Sequence, residues 1–106
     1  MRKFILAASL TALTASVALG AGDAAAGKAV YERACKTCHT ATGDPNPAIA
    51  KLNKVEMKSL RSADVQGEGD AVMKKAITDG QGKMKPVKNV AGAEIDNVIA
   101  YVRTLK

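Results

Sequence analysis

The chain has 106 residues, with 16 lysines and arginines against 10 acidic side chains, a formal charge of +6, two cysteines and one histidine. That length fits one domain, and so few soft ligands argue against a structural zinc centre, which normally draws four ligands from Cys and His. The basic charge does not mark a nucleic-acid binder, because one Phe, two Tyr and no Trp leave almost nothing to stack on bases.

The first block reads as an export signal. Arg2 and Lys3 form a positive start, Phe4–Leu19 is an apolar, alanine-rich run, and the small residues of "ALG" precede Ala21. That order is the layout of a secretory signal peptide. A retained membrane anchor is the alternative, but the run is shorter than the ~20 apolar residues that span a bilayer core. The expected division is therefore residues 1–20, cleaved, and a domain over residues 21–106, exported to the periplasm. A mature chain whose only aromatic residues are Tyr31 and Tyr101 is short of apolar mass, and domains of this size often lean on a disulfide, metal or cofactor.

In "GDAAAGKAVYERACKTCH", Gly27, Val30, Tyr31, Ala34 and Cys38 recur at intervals of three and four. This spacing predicts one face of a helix with Asp23 as its N-cap. "TATGDPNPA" is dense in turn residues and predicts a loop. Residues 49–80 predict two short helices separated by "SADVQGEG", the second from about Asp70 to Thr78 with Val72, Met73, Ala76 and Ile77 on its core stripe. "DGQGKMKPVKN" predicts a second loop. The final block carries Ile95, Val98, Ile99, Val102 and Leu105 on one stripe, an amphipathic helix with a weakly marked start at Ala91 and Gly92. No strand-like alternation is present, so the mature chain reads as all-α.

Every cysteine and the only histidine lie together in "ACKTCHTATG". C-x-x-C-H is the attachment signature for c-type haem. Cys35 and Cys38 would form thioethers to two vinyl groups one turn of chain apart, and His39 would meet the iron from the same side. The rival readings are a thioredoxin-like dithiol, which wants a βαβ context that is missing here, and a plain disulfide beside a chance histidine, as an oxidising compartment allows. Haem is the reading that also accounts for the small core.

With these residues in view, the sequence resembles the class I monohaem cytochromes c of the small bacterial kind, over essentially the whole mature chain. The resemblance rests on Gly27, Tyr31 and then "CKTCH", on a late loop carrying a methionine, and on "EIDNVIAYVRTL". It implies an all-α class I cytochrome c fold of three to four helices around one covalent haem. The first and last helices would cross, with Gly27 and Tyr31 against Val98 and Tyr101. It also implies a methionine as the second axial ligand. Met73 falls on a helical core stripe, Met57 lies between lysines in "KVEMKSL", and Met84 sits in the loop "GQGKMKPV". The family takes its ligand from such a loop, usually with proline directly after; here Lys85 intervenes before Pro86. Met84 is the expected ligand. A proline carbonyl downstream of His39 would accept from its other ring nitrogen, with Pro47 preferred over Pro45.

His/Met ligation leaves no vacancy for substrate, so the implied function is a non-enzymatic one-electron carrier, a monomer shuttling between redox partners. The alternative is a haem-based ligand sensor or peroxidase-like protein from which Met84 dissociates. Lys36, Lys83, Lys85 and Lys88 flank the two ligand-bearing segments and would draw acidic faces of partner proteins or membrane redox complexes.

Overall fold

The computed structural model describes residues 22–106. The expected signal peptide, residues 1–20, lies outside the described residues. Six helices and no strand are found among the described residues: α1 (Ala24–Ala34), α2 (Lys36–His39), α3 (Pro47–Asn53), α4 (Ala63–Gln66), α5 (Asp70–Asp79) and α6 (Ala93–Val102). The all-α expectation holds, with short helices added to the long ones.

Asp23 caps α1 as its position suggests. Its Oδ1 accepts from the amides of Ala25 and Ala26 at 2.9 and 3.2 Å, satisfying two of the donors a helix start leaves open, an arrangement typically worth about 1 kcal/mol. The expected single helix through Cys38 is interrupted. Cys35 departs from helical geometry at φ −120°, and α2 closes on it separately, with the amides of Cys38 and His39 both directed to the Cys35 carbonyl. Asn46 caps α3, with Pro47 at the first turn, where its missing N–H costs nothing. The connector "SADVQGEG" contains α4, because the Ser62 hydroxyl accepts from the Val65 amide.

α6 has no side-chain cap: Gly92 supplies its start with φ 60°. Its stability comes from packing. The principal interface is α1 against α6, and α5 adds to α6 from another side. Val30, Tyr31, Met73, Val90, Ile95, Val98 and Ile99 form the buried core. Tyr31 and Val98 are almost completely enclosed, and the rings of Tyr31 and Tyr101 meet at 5.1 Å and 57°. A Cβ on Gly27 would overlap the Asn97 carbonyl and reach the Tyr101 Cβ at 3.0 Å. The helix crossing is therefore backbone on backbone: Gly27 lies against the Asn97 carbonyl and the Tyr101 Cβ, and Val98 is buried with Tyr31 in the same core. The Asp23 amide donates to Asn97 Oδ1 at 2.8 Å beside this contact.

Val72, expected in the core stripe of α5, is 49% exposed, whereas Met73 is buried. Adjacent helical positions lie about 100° apart, so turning Met73 onto α6 turns Val72 away. The end of α6 also holds the α4 connector. Gln66 Nε2 donates to the carbonyls of Leu60 and Val102 at 2.8 and 2.9 Å, and the Arg103 guanidinium donates to the carbonyls of Gln66 and Glu68 and to Asp70.

Candidate haem-attachment site

Cys35, Cys38 and His39 share α2 and its N-cap. Both thiols are free and half-buried. Burial, with the neighbouring Cys38 adding, pushes the Cys35 thiol up to about 11, against a smaller opposing pull from Arg33, so it is neutral at ordinary pH. Burial also lowers the His39 pKa, which keeps the imidazole in the neutral form that can donate a lone pair to a metal. Its Nδ1 is buried and has no hydrogen-bond partner among the described residues. The expected carbonyl of Pro47, or of Pro45, is thus not paired with it. Pro47 occupies the first turn of α3, where a carbonyl points along the helix toward the amides of the following turn.

The segment after α2 is tied back to it. The Asn46 amide donates to the Cys38 carbonyl at 2.9 Å and Asn46 Nδ2 to the Thr37 carbonyl at 3.0 Å. Thr40, directly after His39, takes φ 55° and ψ 173°, backbone geometry that a β-branched residue rarely adopts. The Tyr31 hydroxyl donates to the carbonyls of Thr40 and His39 at 2.6 and 3.2 Å, and burial raises the Tyr31 phenol far above its ordinary value.

Met84 is half-buried and ends a tight turn. The amides and carbonyls of Gln81 and Met84 exchange hydrogen bonds of 2.9 Å in both directions. Gly82 supplies a positive φ of 57° at the first central position, the pattern of a type II′ turn. A Cβ on Gly80 (φ 80°) would press on the Met84 carbonyl at 2.6 Å and on the Pro86 ring at 3.0 Å. Lys85 is accommodated as an exposed residue between Met84 and Pro86, and the Val87 amide returns to the Ile77 carbonyl at 2.8 Å. Arg33 then joins this loop to the first helix. Its Nη2 donates to the Asn89 carbonyl at 3.0 Å and pairs with Glu94 at 2.8 Å. The segments that carry His39 and Met84 therefore both hang from α1, the first through Tyr31 and the second through Arg33. Sequence periodicity marks Tyr31 as a packing residue only and does not single out Arg33, because the acceptors are backbone carbonyls far along the chain.

Met57 lies elsewhere, in the lining of a cleft of about 620 Å³ formed by α3 and the strand of chain after it, with Pro45, Pro47, Ala50 and Val55. Neither His39 nor Met84 belongs to that lining. Lys51, Lys54 and Glu56 complete it. Met73 is a core residue, as its stripe suggests. Lys36, Lys83, Lys85 and Lys88 are all exposed.

These features fit a covalent haem. Two free thiols and a neutral imidazole follow one another along one short helix and its N-cap, and the apolar side chains of Val55, Met57, Leu60, Ile77 and Val87 are left only half-covered by protein. The fold and the site together define an all-α protein of the c-type haem class.

Comparison with known proteins agrees. Residues 22–102 match the family model described as cytochrome c oxidase, cbb3-type, subunit III. The chain is 35% identical over 92 residues to cytochrome c-554(547) of Halothiobacillus neapolitanus, covering 81% of this chain and 100% of that protein. It is 36% identical over 88 residues to cytochrome c6 of Rippkaea orientalis, covering 77% of this chain and 70% of that one. Its fold is similar to that of the KustC0563 c-type cytochrome, with a TM-score of 0.64, 26% identity, and coverage of 76% of this chain and 96% of that one. The chain belongs to the cytochrome c family, carries one covalent haem c, and is an electron carrier.

Proposed function

We propose that the chain is a periplasmic carrier of single electrons between redox partner proteins, with His39 and Met84 as the axial ligands of its haem iron. The observation that carries the reading is the run of two free thiols and a neutral imidazole on α2 and its N-cap, together with a tightly turned loop that carries Met84 and is tied to α1 through Arg33. Bound haem supplies one-electron chemistry at a potential that a thioether ligand raises.

Each residue has a part in this reading. Cys35 and Cys38 hold the group to the chain through thioether bonds. His39, kept uncharged by its burial, offers a lone pair without first losing a proton. Met84 comes from a turn fixed at both ends, by its bridge to Gln81 and by the Val87–Ile77 bond. A ligand held in place by the protein changes little between oxidation states, and this suits transfer rather than catalysis. Lys36, Lys83, Lys85 and Lys88 stand exposed on the same two segments. A cluster of one sign raises encounter rates with acidic surfaces in a salt-sensitive way, so acidic redox proteins are the partners proposed.

The test is Met84→Ala in the haem-bound protein. The weak far-red sulfur-to-iron charge-transfer band of the ferric form should vanish and the reduction potential should fall. Persistence of both would remove Met84 from the ligand set. Prompt carbon monoxide binding by the unaltered ferrous protein at neutral pH would instead favour a ligand-binding role.

A further inference from the structure

The Tyr31 ring and the Tyr31 hydroxyl have separate surroundings. The ring is 1% exposed, packed in the α1–α6 core and against Tyr101, and a phenylalanine would fill that space equally well. The hydroxyl leaves the core contacts and reaches the backbone directly after α2. It has one proton to give. The short bond, 2.6 Å, goes to the Thr40 carbonyl, and the His39 carbonyl at 3.2 Å shares it.

Those two carbonyls belong to the peptide planes on either side of Thr40. Holding them restrains ψ of His39 and both dihedrals of Thr40, and ties the His39 carbonyl, and with it the main chain from which the imidazole springs, to α1. The constraint matters because Thr40 is strained, a β-branched residue at φ 55°. Such geometry persists only where the surroundings over-determine it. Here the Thr40 amide donates to the Lys36 carbonyl at 2.9 Å, and its hydroxyl donates to the Asp44 carbonyl at 2.8 Å. The Tyr31 hydroxyl is the restraint that comes from a different helix. His39 Nδ1 is buried without a partner among the described residues, so the restraint on His39 that the structure shows acts through its main chain.

We propose that the Tyr31 hydroxyl is a positioning residue for His39, holding the strained Thr40 turn so that the imidazole keeps one direction toward the haem iron. The proposal rests on the assignment of His39 as an axial ligand. It adds a role for a side chain that touches neither iron nor haem in that assignment.

The experiment uses Y31F, T40G and the double variant, each as the haem-bound protein. The readouts are the hyperfine-shifted haem-methyl proton resonances of the ferric form, which report the orientation of an axial imidazole, and the reduction potential, alongside the urea midpoint. Y31F is expected to rearrange the haem-methyl pattern and move the potential. The same substitution in the T40G background should move both less, because glycine takes φ 55° without strain. A lower urea midpoint with an unchanged haem-methyl pattern and potential would make the hydroxyl purely structural and overturn the proposal. Equal displacement in both backgrounds would overturn the link to Thr40. If Y31F alone does not accumulate with haem, recovery of haem binding in the double variant is the expected result, and its failure there too would overturn the link to Thr40. An unaltered protein whose ferric spectrum shows no imidazole ligand would instead overturn the assignment of His39, and the proposal with it.

Discussion

Gly27→Ala sets two effects of known sign against each other. In an unpacked helix the change should stabilise by about 1 kcal/mol, because alanine is the better helix former. In this protein the added Cβ falls on the Asn97 carbonyl, both its oxygen and its carbon, and 3.0 Å from the Tyr101 Cβ. Two of these atoms are backbone in the middle of α6, so no side-chain rotation clears the space, and the helices must move apart. Overpacking of a close-packed contact typically costs about 1–3 kcal/mol, and a backbone obstacle belongs at the upper end. The separation also stretches the bond from the Asp23 amide to Asn97 Oδ1. The net loss is about 2 kcal/mol, and at ~4–8 °C per kcal/mol for a domain of this size the Tm should fall by about 8–16 °C. Thermal unfolding of the haem-bound protein, followed by far-UV circular dichroism, measures it. A Tm at or above that of the unaltered protein would refute the backbone-on-backbone crossing, since helix propensity would then have won.

Two further outcomes are expected. Hydrogen bonds from Ser59 and Thr42, with Arg61 nearby, hold the Asp44 carboxyl below its ordinary value of 3.8, so its stabilising effect is fully present above that value and is lost as pH falls from there through the lowered value of the folded state. Urea midpoints taken from roughly pH 6 to pH 3 should therefore fall less steeply for Ser59→Ala than for the unaltered protein, and parallel curves would show that the Ser59–Asp44 bond, 2.8 Å, carries no such linkage. For export, the intact mass of protein recovered from the periplasm should correspond to a chain lacking residues 1–20 and bearing one haem; a mass that still includes Met1–Gly20 would indicate a retained anchor.

The haem-attachment residues were legible because their chemistry is local. Cys35, Cys38 and His39 need only be adjacent on one turn, and adjacency is a property of the chain. The same is true of the Asp23 cap, which acts two and three residues away, and of the apolar stripe of α6. Less was visible where a local signal was weak or divided. The break at Cys35 could not be read from a stripe that continues across it. Helix α4 was hidden in a connector rich in glycine, although Ser62 was in place to cap it.

What the amino-acid sequence determined by itself is the covalent chemistry and the helical periodicity, both set by neighbours within a few positions. The tertiary structure decided the contacts between positions remote in the chain. It brought Gly27 onto Asn97, turned Val72 outward while Met73 went in, left His39 Nδ1 without the expected proline carbonyl, and joined Arg33 to Asn89 and Glu94. Each depends on how α1 and α6 cross and on where the connecting segments are fastened. The Tyr31 hydroxyl spans the two levels: its ring obeys the helical stripe, but its bond to the Thr40 carbonyl forms only when the turn after His39 folds back over α1.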